Sequence, residues 1–260
     1  MSHPNRLPDF DSRWAVFLDF DGTLAELAEA PHLVEVDATL PGKLVRLHDA
    51  LGGALAVISG RPVREIDAFL APLSLPTAGL HGLEWRDAQG ETHDVHTANG
   101  GIIQVREALE AFAAGIPGLQ IEDKRRTIAL HYGRAPDAEA ACREAVTEAL
   151  AGHEALCLLA GKMVFEIKPR GIDKGTAITR FMSEAPFGGR IPLFAGDDVT
   201  DEDGFAAVNA RSGISIRVGD GRSTLATLRT DGVPALLSWL HGLLPDSQIV
   251  APRVPAHDRS

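Results

Sequence analysis

The apolar positions of the chain fall into short unbroken runs, each stopped by turn-forming or charged residues. Trp14 to Phe20 (WAVFLDF) ends in Asp21-Gly22-Thr23, Ala54 to Ser59 (ALAVIS) ends in Gly60-Arg61-Pro62, and Ile191 to Ala195 ends at Gly196. Runs of this kind predict strands buried on both faces. Between them the spacing turns helical: Leu44, Leu47, His48 and Leu51 follow Pro41, and Val63 to Leu70 reads as a further helix. Strand and helix in close alternation predict a parallel sheet covered on both faces.

The middle of the chain has another rhythm. From Gly79 to about Pro169 the pattern predicts short strands around Glu84 to Arg86, a helix from Ile102 to Ala114, and strands at Leu119 to Ile121 and Thr127 to Tyr132. A helix from Pro136 to Leu150 follows, then strands at Leu156 to Leu159 and Met163 to Lys168, joined by a hairpin at Gly161-Lys162. Strand pairs separated by single helices favour a small antiparallel α+β layer. The α/β rhythm returns after Gly171, with helices from Asp173 to Met182, Glu202 to Val208 and Pro234 to Leu244, and strands at Ile191 to Ala195 and Gly213 to Val218. The expected architecture is therefore α/β: a Rossmann-like, doubly wound parallel core built from residues 1–80 and 171–260, carrying an α+β cap over 81–170. The polar tail from Asp246 is expected to lack order.

Composition narrows the partners. Among 260 residues, Lys and Arg number 25 and Asp and Glu 36, a formal charge of −11, which argues against nucleic-acid and anionic-membrane surfaces. The cysteines, Cys142 and Cys157, form no C-x-x-C pair, so neither a disulfide framework nor a zinc site is expected. The polar N-terminal stretch does not read as a signal peptide, and no apolar run reaches the roughly 18 residues of a membrane helix. The expectation is a cytoplasmic monomer acting on a small molecule.

Chemistry concentrates at the strand ends. Asp19 and Asp21 are two apart, so their side chains point to the same side before Gly22 turns the chain. Ligands of open parallel sheets bind beyond the carboxyl ends of the strands. A second acidic end follows Ile191 to Ala195: Gly196-Asp197-Asp198-Val199-Thr200-Asp201-Glu202-Asp203. If the two ends are neighbours, their carboxylates repel unless a cation binds or a proton is retained, and oxygen ligands in small number suit Mg2+. A calcium loop does not fit, because aligning Gly204 with its glycine puts Val199 and Ala210 where carboxylates are required. Thr200 reads as a helix cap, with Glu202 and Asp203 favouring the helix dipole; Asp197 and Asp201 are left for the ion.

Ser59, followed by Gly60 and Arg61, closes a strand where a hydroxyl and backbone N–H groups can accept an anion. Lys174 opens a predicted helix, a poor place for a cation unless an anion or carboxylate lies there. Acids, hydroxyl and lysine together form a site for phosphoryl transfer with a carboxylate as nucleophile. Neither G-x-x-x-x-G-K-[ST] nor G-x-G-x-x-G after a strand competes.

These residues resemble the haloacid dehalogenase superfamily of phosphatases. Asp19-Phe20-Asp21-Gly22-Thr23-Leu24 is similar to its first motif, Ser59 to its second, Lys174 to its third, and Gly196-Asp197-Asp198 with Asp201 to its fourth. The resemblance implies that Asp19 is the nucleophile and Asp21 the acid and base. It also implies that Asp19, the backbone carbonyl of Asp21 and Asp197 hold Mg2+, with Asp201 in support.

A closer resemblance covers nearly the whole chain. Ala78 to Glu84 (AGLHGLE), Glu122-Asp123-Lys124, Ala129 to Tyr132 (ALHY), Gly161 to Pro169 (GKMVFEIKP) and Gly171 to Gly175 (GIDKG) look like the trehalose-6-phosphate phosphatases. This implies hydrolysis of trehalose 6-phosphate under an α+β cap, with Arg61 near the substrate and Glu122, Lys124 and Glu166 bonding sugar hydroxyls. The chain departs from that family at Gly133, which stands directly after His131-Tyr132 where members carry a basic residue; Arg134 is one position later, on the other face of a strand.

The remaining histidines, cysteines, tryptophans and arginines with chemical potential have plainer readings. His93 and His96 are expected at the surface, His131 as a hydrogen-bonded structural histidine, both cysteines as buried thiols and Trp14, Trp85 and Trp239 as packing. Arg125 and Arg126 read as solvated. Competing functions are another capped sugar phosphatase, a phosphosugar mutase, or a non-catalytic module phosphorylated on Asp19. The last needs neither Asp21 nor a cap.

Overall fold

A computed structural model describes residues 6–28, 33–95, 101–124, 126–161, 163–220 and 223–244. The predicted tail from Asp246, together with His96, Arg125 and Lys162, lies outside them. The elements in chain order are β1 (Trp14–Leu18), α1 (Leu40–Ala50), β2 (Leu55–Ile58), α2 (Val63–Leu70), β3 (Thr77–Gly79), β4 (Glu84–Arg86), β5 (Thr92–Asp94) and α3 (Ile102–Ala114). There follow β6 (Gln120–Asp123), β7 (Ile128–His131), α4 (Glu139–Ala149), β8 (Leu156–Gly161), β9 (Val164–Pro169) and α5 (Lys174–Phe181). The last are β10 (Ile191–Gly196), α6 (Glu202–Asn209), β11 (Ile214–Val218), β12 (Leu228–Thr230) and α7 (Val233–Gly242).

The apolar runs behave as buried strands must. Every residue of β1 and β2 is buried, and both strands lie inside an eight-stranded sheet of order β12-β11-β10-β1-β2-β3-β4-β5. Pairing is parallel from β12 to β3. β1 is flanked by β10 and β2, so the polar residues that end these three runs emerge side by side at one edge. Phe17, Phe181 and Phe187 pack under the sheet with ring centroids 5.1 to 6.1 Å apart.

The second sheet, order β6-β7-β9-β8, is antiparallel throughout. Its strands alternate. Ile128, Leu130, Phe165 and Ile167 face Val105 and Leu109 of α3 and Cys142 and Val146 of α4 in a small separate core. The pairing register puts Glu122, Ala129 and Glu166 in one row across β6, β7 and β9, and the period of two assigns that row to the opposite, polar face.

Several expectations need correction. β4, expected within the inserted layer, pairs antiparallel with β3 and extends the larger sheet, with β5 outside it. Its side chains fix it there: Arg86 forms a two-pronged pair with Asp67 of α2 and also donates to Leu75 O, and Arg180 of α5 stacks 4.0 Å from the Trp85 ring. Glu84–Arg86 and Thr92–Asp94 therefore belong to the core sheet, and the second sheet begins only after α3. Asp198, not Thr200, caps the turn before α6, through a reciprocal pair with Asp201. Arg126 is paired with Asp94 at 3.3 Å rather than solvated, and Cys157 is half-buried; His93, expected at the surface, lies there with its side chain 40% exposed and bonds Asp87 at 2.6 Å. Among the described residues no helix is long and apolar enough to cross a membrane.

The inserted layer rests on few large side chains, and Phe165 is fully buried at its centre. Phe165→Ala is expected to destabilise the protein by about 3–5 kcal/mol, read from urea unfolding. A loss below about 1 kcal/mol would show that this small core does not depend on it.

Candidate active site

Asp19 follows the last residue of β1 and is buried, while Thr23, four residues on, donates its hydroxyl to Asp19 Oδ2 at 3.2 Å. Asp197 follows β10, the strand paired with β1. The turn between Asp19 and Thr23 passes so near β10 that a Cβ on Gly22 would overlap the Asp197 carboxylate, and Gly22 also has φ +75°. Only glycine meets both demands.

Lys174 is the first residue of α5, whose N-cap is Asp173. Its buried ammonium donates to Asp19 Oδ1 at 2.6 Å and to Asp201 Oδ1 at 2.7 Å. The misfit of a lysine at a helix start is thus resolved by two carboxylates. The other oxygen of Asp201 accepts from the backbone N–H groups of Asp197 and Asp198, both at 2.9 Å. Asp201 is therefore held from two sides and completely buried.

Asp19, Asp197 and Asp201 each offer an oxygen within 4.8 Å of the others. Burial, only partly offset by Lys174 and reinforced by the neighbouring acids, pushes the Asp19 carboxyl well above its usual range. Asp197 is pushed up to about 7 by burial and by the charge of Asp201, and its Oδ1 is buried without a hydrogen-bond partner. For Lys174, burial alone would favour the neutral amine, but Asp19 and Asp201 outweigh it and hold the group charged. Three carboxylates against one ammonium leave an excess of negative charge and an unused oxygen. Hard oxygen donors in that state fit a small divalent cation.

The remaining predicted residues surround this cluster. Ser59 directly follows β2, the neighbour of β1, and its Oγ accepts from the Arg61 backbone N–H at 3.1 Å. Arg61 grips both oxygens of Asp21 at 2.7 Å, with its guanidinium 5.0 Å from the Phe69 ring centroid. The Asp21 carboxylate thus points at Arg61 and is not one of the three that converge. On the inserted sheet, Glu122 pairs with His131 at 2.9 Å and Lys124 lies 3.9 Å from Glu166. Glu166 in turn reaches His81 of the core at 3.3 Å. A cleft of about 450 Å³ lies beside the carboxylates, lined by Gly22, Asp197 and Arg217 of the core and by Ala160 and Gly161 of the inserted sheet.

Sequence reasoning misses Thr23 and His81 as contributors in their own right. Thr23 could be found from its place four residues after Asp19; His81 has no spacing that marks it.

Comparison with known proteins agrees with this geometry. A family model described as trehalose-phosphatase matches residues 17–233. The chain is 44% identical over 233 residues to the trehalose-6-phosphate phosphatase of Escherichia coli (strain K12), covering 90% of this chain and 87% of that one. It is 43% identical over 214 residues to a probable trehalose-phosphate phosphatase of Sinorhizobium fredii (strain NBRC 101917 / NGR234), covering 81% and 79%. A crystal structure of a trehalose-6-phosphate phosphatase related protein superposes with a TM-score of 0.74 at 27% identity, covering 88% of this chain and 96% of that chain. A match over most of the chain, together with the acidic cluster that the sequence foretells, means that this chain belongs to the trehalose-phosphatase family.

Proposed function

We propose that the chain hydrolyses trehalose 6-phosphate to trehalose and inorganic phosphate through a phosphorylated Asp19. The observation that carries this reading is the meeting of Asp19, Asp197, Asp201 and Lys174 at one sheet edge, beside a cleft that Ala160 and Gly161 of the inserted sheet also line. Family membership supports the choice of sugar.

Asp19, the Asp21 carbonyl and Asp197 would hold Mg2+, with Asp201 in support, and the ion would supply positive charge against the phosphoryl oxygens. The chain's own groups do the rest. Thr23 and Lys174 fix the Asp19 carboxylate for in-line attack, and the Ser59 hydroxyl and Arg61 bind phosphate oxygens. As Asp19 forms its bond to phosphorus, the bond from phosphorus to the sugar 6-oxygen breaks. When the Arg61 guanidinium turns to the phosphate, Asp21 is freed from that pair, takes up a proton from solvent and gives it to the departing oxygen. The same carboxylate then takes a proton from water as water attacks phosphorus and frees Asp19.

The larger sheet with its helices acts as the catalytic core. The layer of α3, α4 and β6 to β9 acts as the cap that recognises the sugar, through Glu122, Lys124 and Glu166. Two carboxylates and an ammonium suit a polyol because they offer several acceptors and donors.

Asp19→Asn is expected to abolish phosphate release while leaving the circular dichroism spectrum unchanged; near-native activity would rule out the covalent route. Adding Mg2+ to metal-free protein should raise its thermal midpoint by binding the folded state. That rise should vanish in Asp197→Asn, and a rise of equal size in the variant would remove Asp197 from the ion site. Glu166→Ala and Lys124→Ala should lower kcat/KM for trehalose 6-phosphate at least about tenfold more than for p-nitrophenyl phosphate. Parallel losses on the two esters would exclude sugar contacts.

A further inference from the structure

His81 lies in an unusual stretch of backbone. Leu80, His81 and Gly82 have φ of 49°, 59° and 106°, so three consecutive residues occupy the left-handed region. Two of them are not glycine, and a conformation that costs energy persists only where its surroundings hold it. Here the His81 N–H donates to Ser59 O at 2.9 Å. The imidazole lies against Gly60, where a Cβ would come within 2.8 Å of the ring. The strained turn and the bare glycine together aim the ring out of the core, toward the inserted sheet.

The ring meets Glu166. His81 Nε2 is 3.3 Å from Glu166 Oε2, with side-chain exposures of 7% and 12%. Burial pushes the His81 imidazole down, toward its neutral form. Burial works to raise Glu166, but the hydrogen bond from His81, with Lys124 behind it, lowers it to about 2. An ionised carboxylate only accepts, so Nε2 carries the proton and Nδ1 presents a lone pair.

The other polar atoms of this seam lack ordinary partners. His81 Nδ1, Glu166 Oε1 and Thr127 Oγ1 are buried without a satisfactory hydrogen bond, and Oε1 has only Lys124 at 3.9 Å and the Thr127 hydroxyl nearby. Buried acceptors left in this state are expensive, and such atoms in a native protein call for an explanation. A ligand rich in hydroxyl groups supplies the missing donors.

We propose that His81 is a positioning residue for sugar recognition: it anchors Glu166 by one oxygen across the seam between core and cap, so that the other oxygen is aimed at a sugar hydroxyl. The inference rests on the proposed function and adds to it a core residue that sets specificity without touching the phosphate. It also makes correct seating of the cap a condition for a competent sugar site, because the anchor is on one layer and the acceptor on the other.

The test compares trehalose 6-phosphate with p-nitrophenyl phosphate, which has no sugar. Asn tolerates left-handed backbone and is too short to reach Glu166, whereas Gln keeps a donor at longer reach. His81→Asn is expected to raise KM for trehalose 6-phosphate about tenfold, the loss of roughly one hydrogen bond to a charged group. Its kcat, and its turnover of p-nitrophenyl phosphate, should stay within about twofold of wild type. His81→Gln should recover part of the affinity. The double variant His81→Asn/Glu166→Gln should lose no more than the worse single variant, since both act on one contact. Equal losses on both esters, or additive losses in the double variant, would overturn the proposal. An unaffected His81→Asn would overturn it alone, whereas a wild-type protein unable to hydrolyse trehalose 6-phosphate would overturn the proposed function as well.

Discussion

The site depends on one buried ammonium. Lys174 sits between Asp19 and Asp201 and is shielded from water. Without it, three carboxylates within reach of one another would have to take up protons or move apart. With it, part of their charge is balanced, and the remaining excess faces the side where Asp197 lies. The lysine is delivered by the start of α5, directly after the inserted layer, so the same junction that returns the chain to the core also brings a positive charge to Asp19 and Asp201.

The inserted layer follows from its own two-sided pattern. The strands from β6 to β9 turn Ile128, Leu130, Phe165 and Ile167 toward two helices and keep a self-sufficient core. The reverse face is then left with Glu122 and Glu166, which pair with His131 and His81 instead of packing. Segregation of this kind lets a small domain fold on one side and recognise a ligand on the other. The core needs no such face, because its ligand groups come from strand ends and loops rather than from the sheet surface.

Much of this is legible in the residues. The runs at Trp14, Ala54 and Ile191 are apolar enough that burial on both faces is the natural reading, and each does become an inner strand. Lys174 stands out because its charge opposes the helix dipole, which points to the carboxylates it meets. What is hidden is equally physical. β3, β5 and β12 have three residues each, too few for any period. β4 mixes charge and tryptophan because its stability comes from the Arg86–Asp67 pair and from stacking under Arg180, contacts between distant segments that no local pattern records. The contact of His81 is hidden for the same reason: AGLHGLE marks the stretch, but the left-handed turn resting on Gly60 and the reach to Glu166 are not forecast by its neighbours. The Asp21–Arg61 grip is likewise hidden, since the motifs direct each residue toward the ligand rather than toward the other.

The pairing of β1 with β10 bears on how the protein is made. Trp14 to Leu18 lie against Ile191 to Ala195, so the first strand synthesised waits for one of the last to complete its hydrogen bonding. While the ribosome translates the intervening segment, one long edge of that apolar strand has no native neighbour, and closing so distant a contact is slow. The strands of the inserted layer pair only with one another, and all of them precede β10 in the chain. A nascent chain halted before β10 would therefore lack Asp197 and Asp201, which ties completion of the acidic cluster to the end of translation.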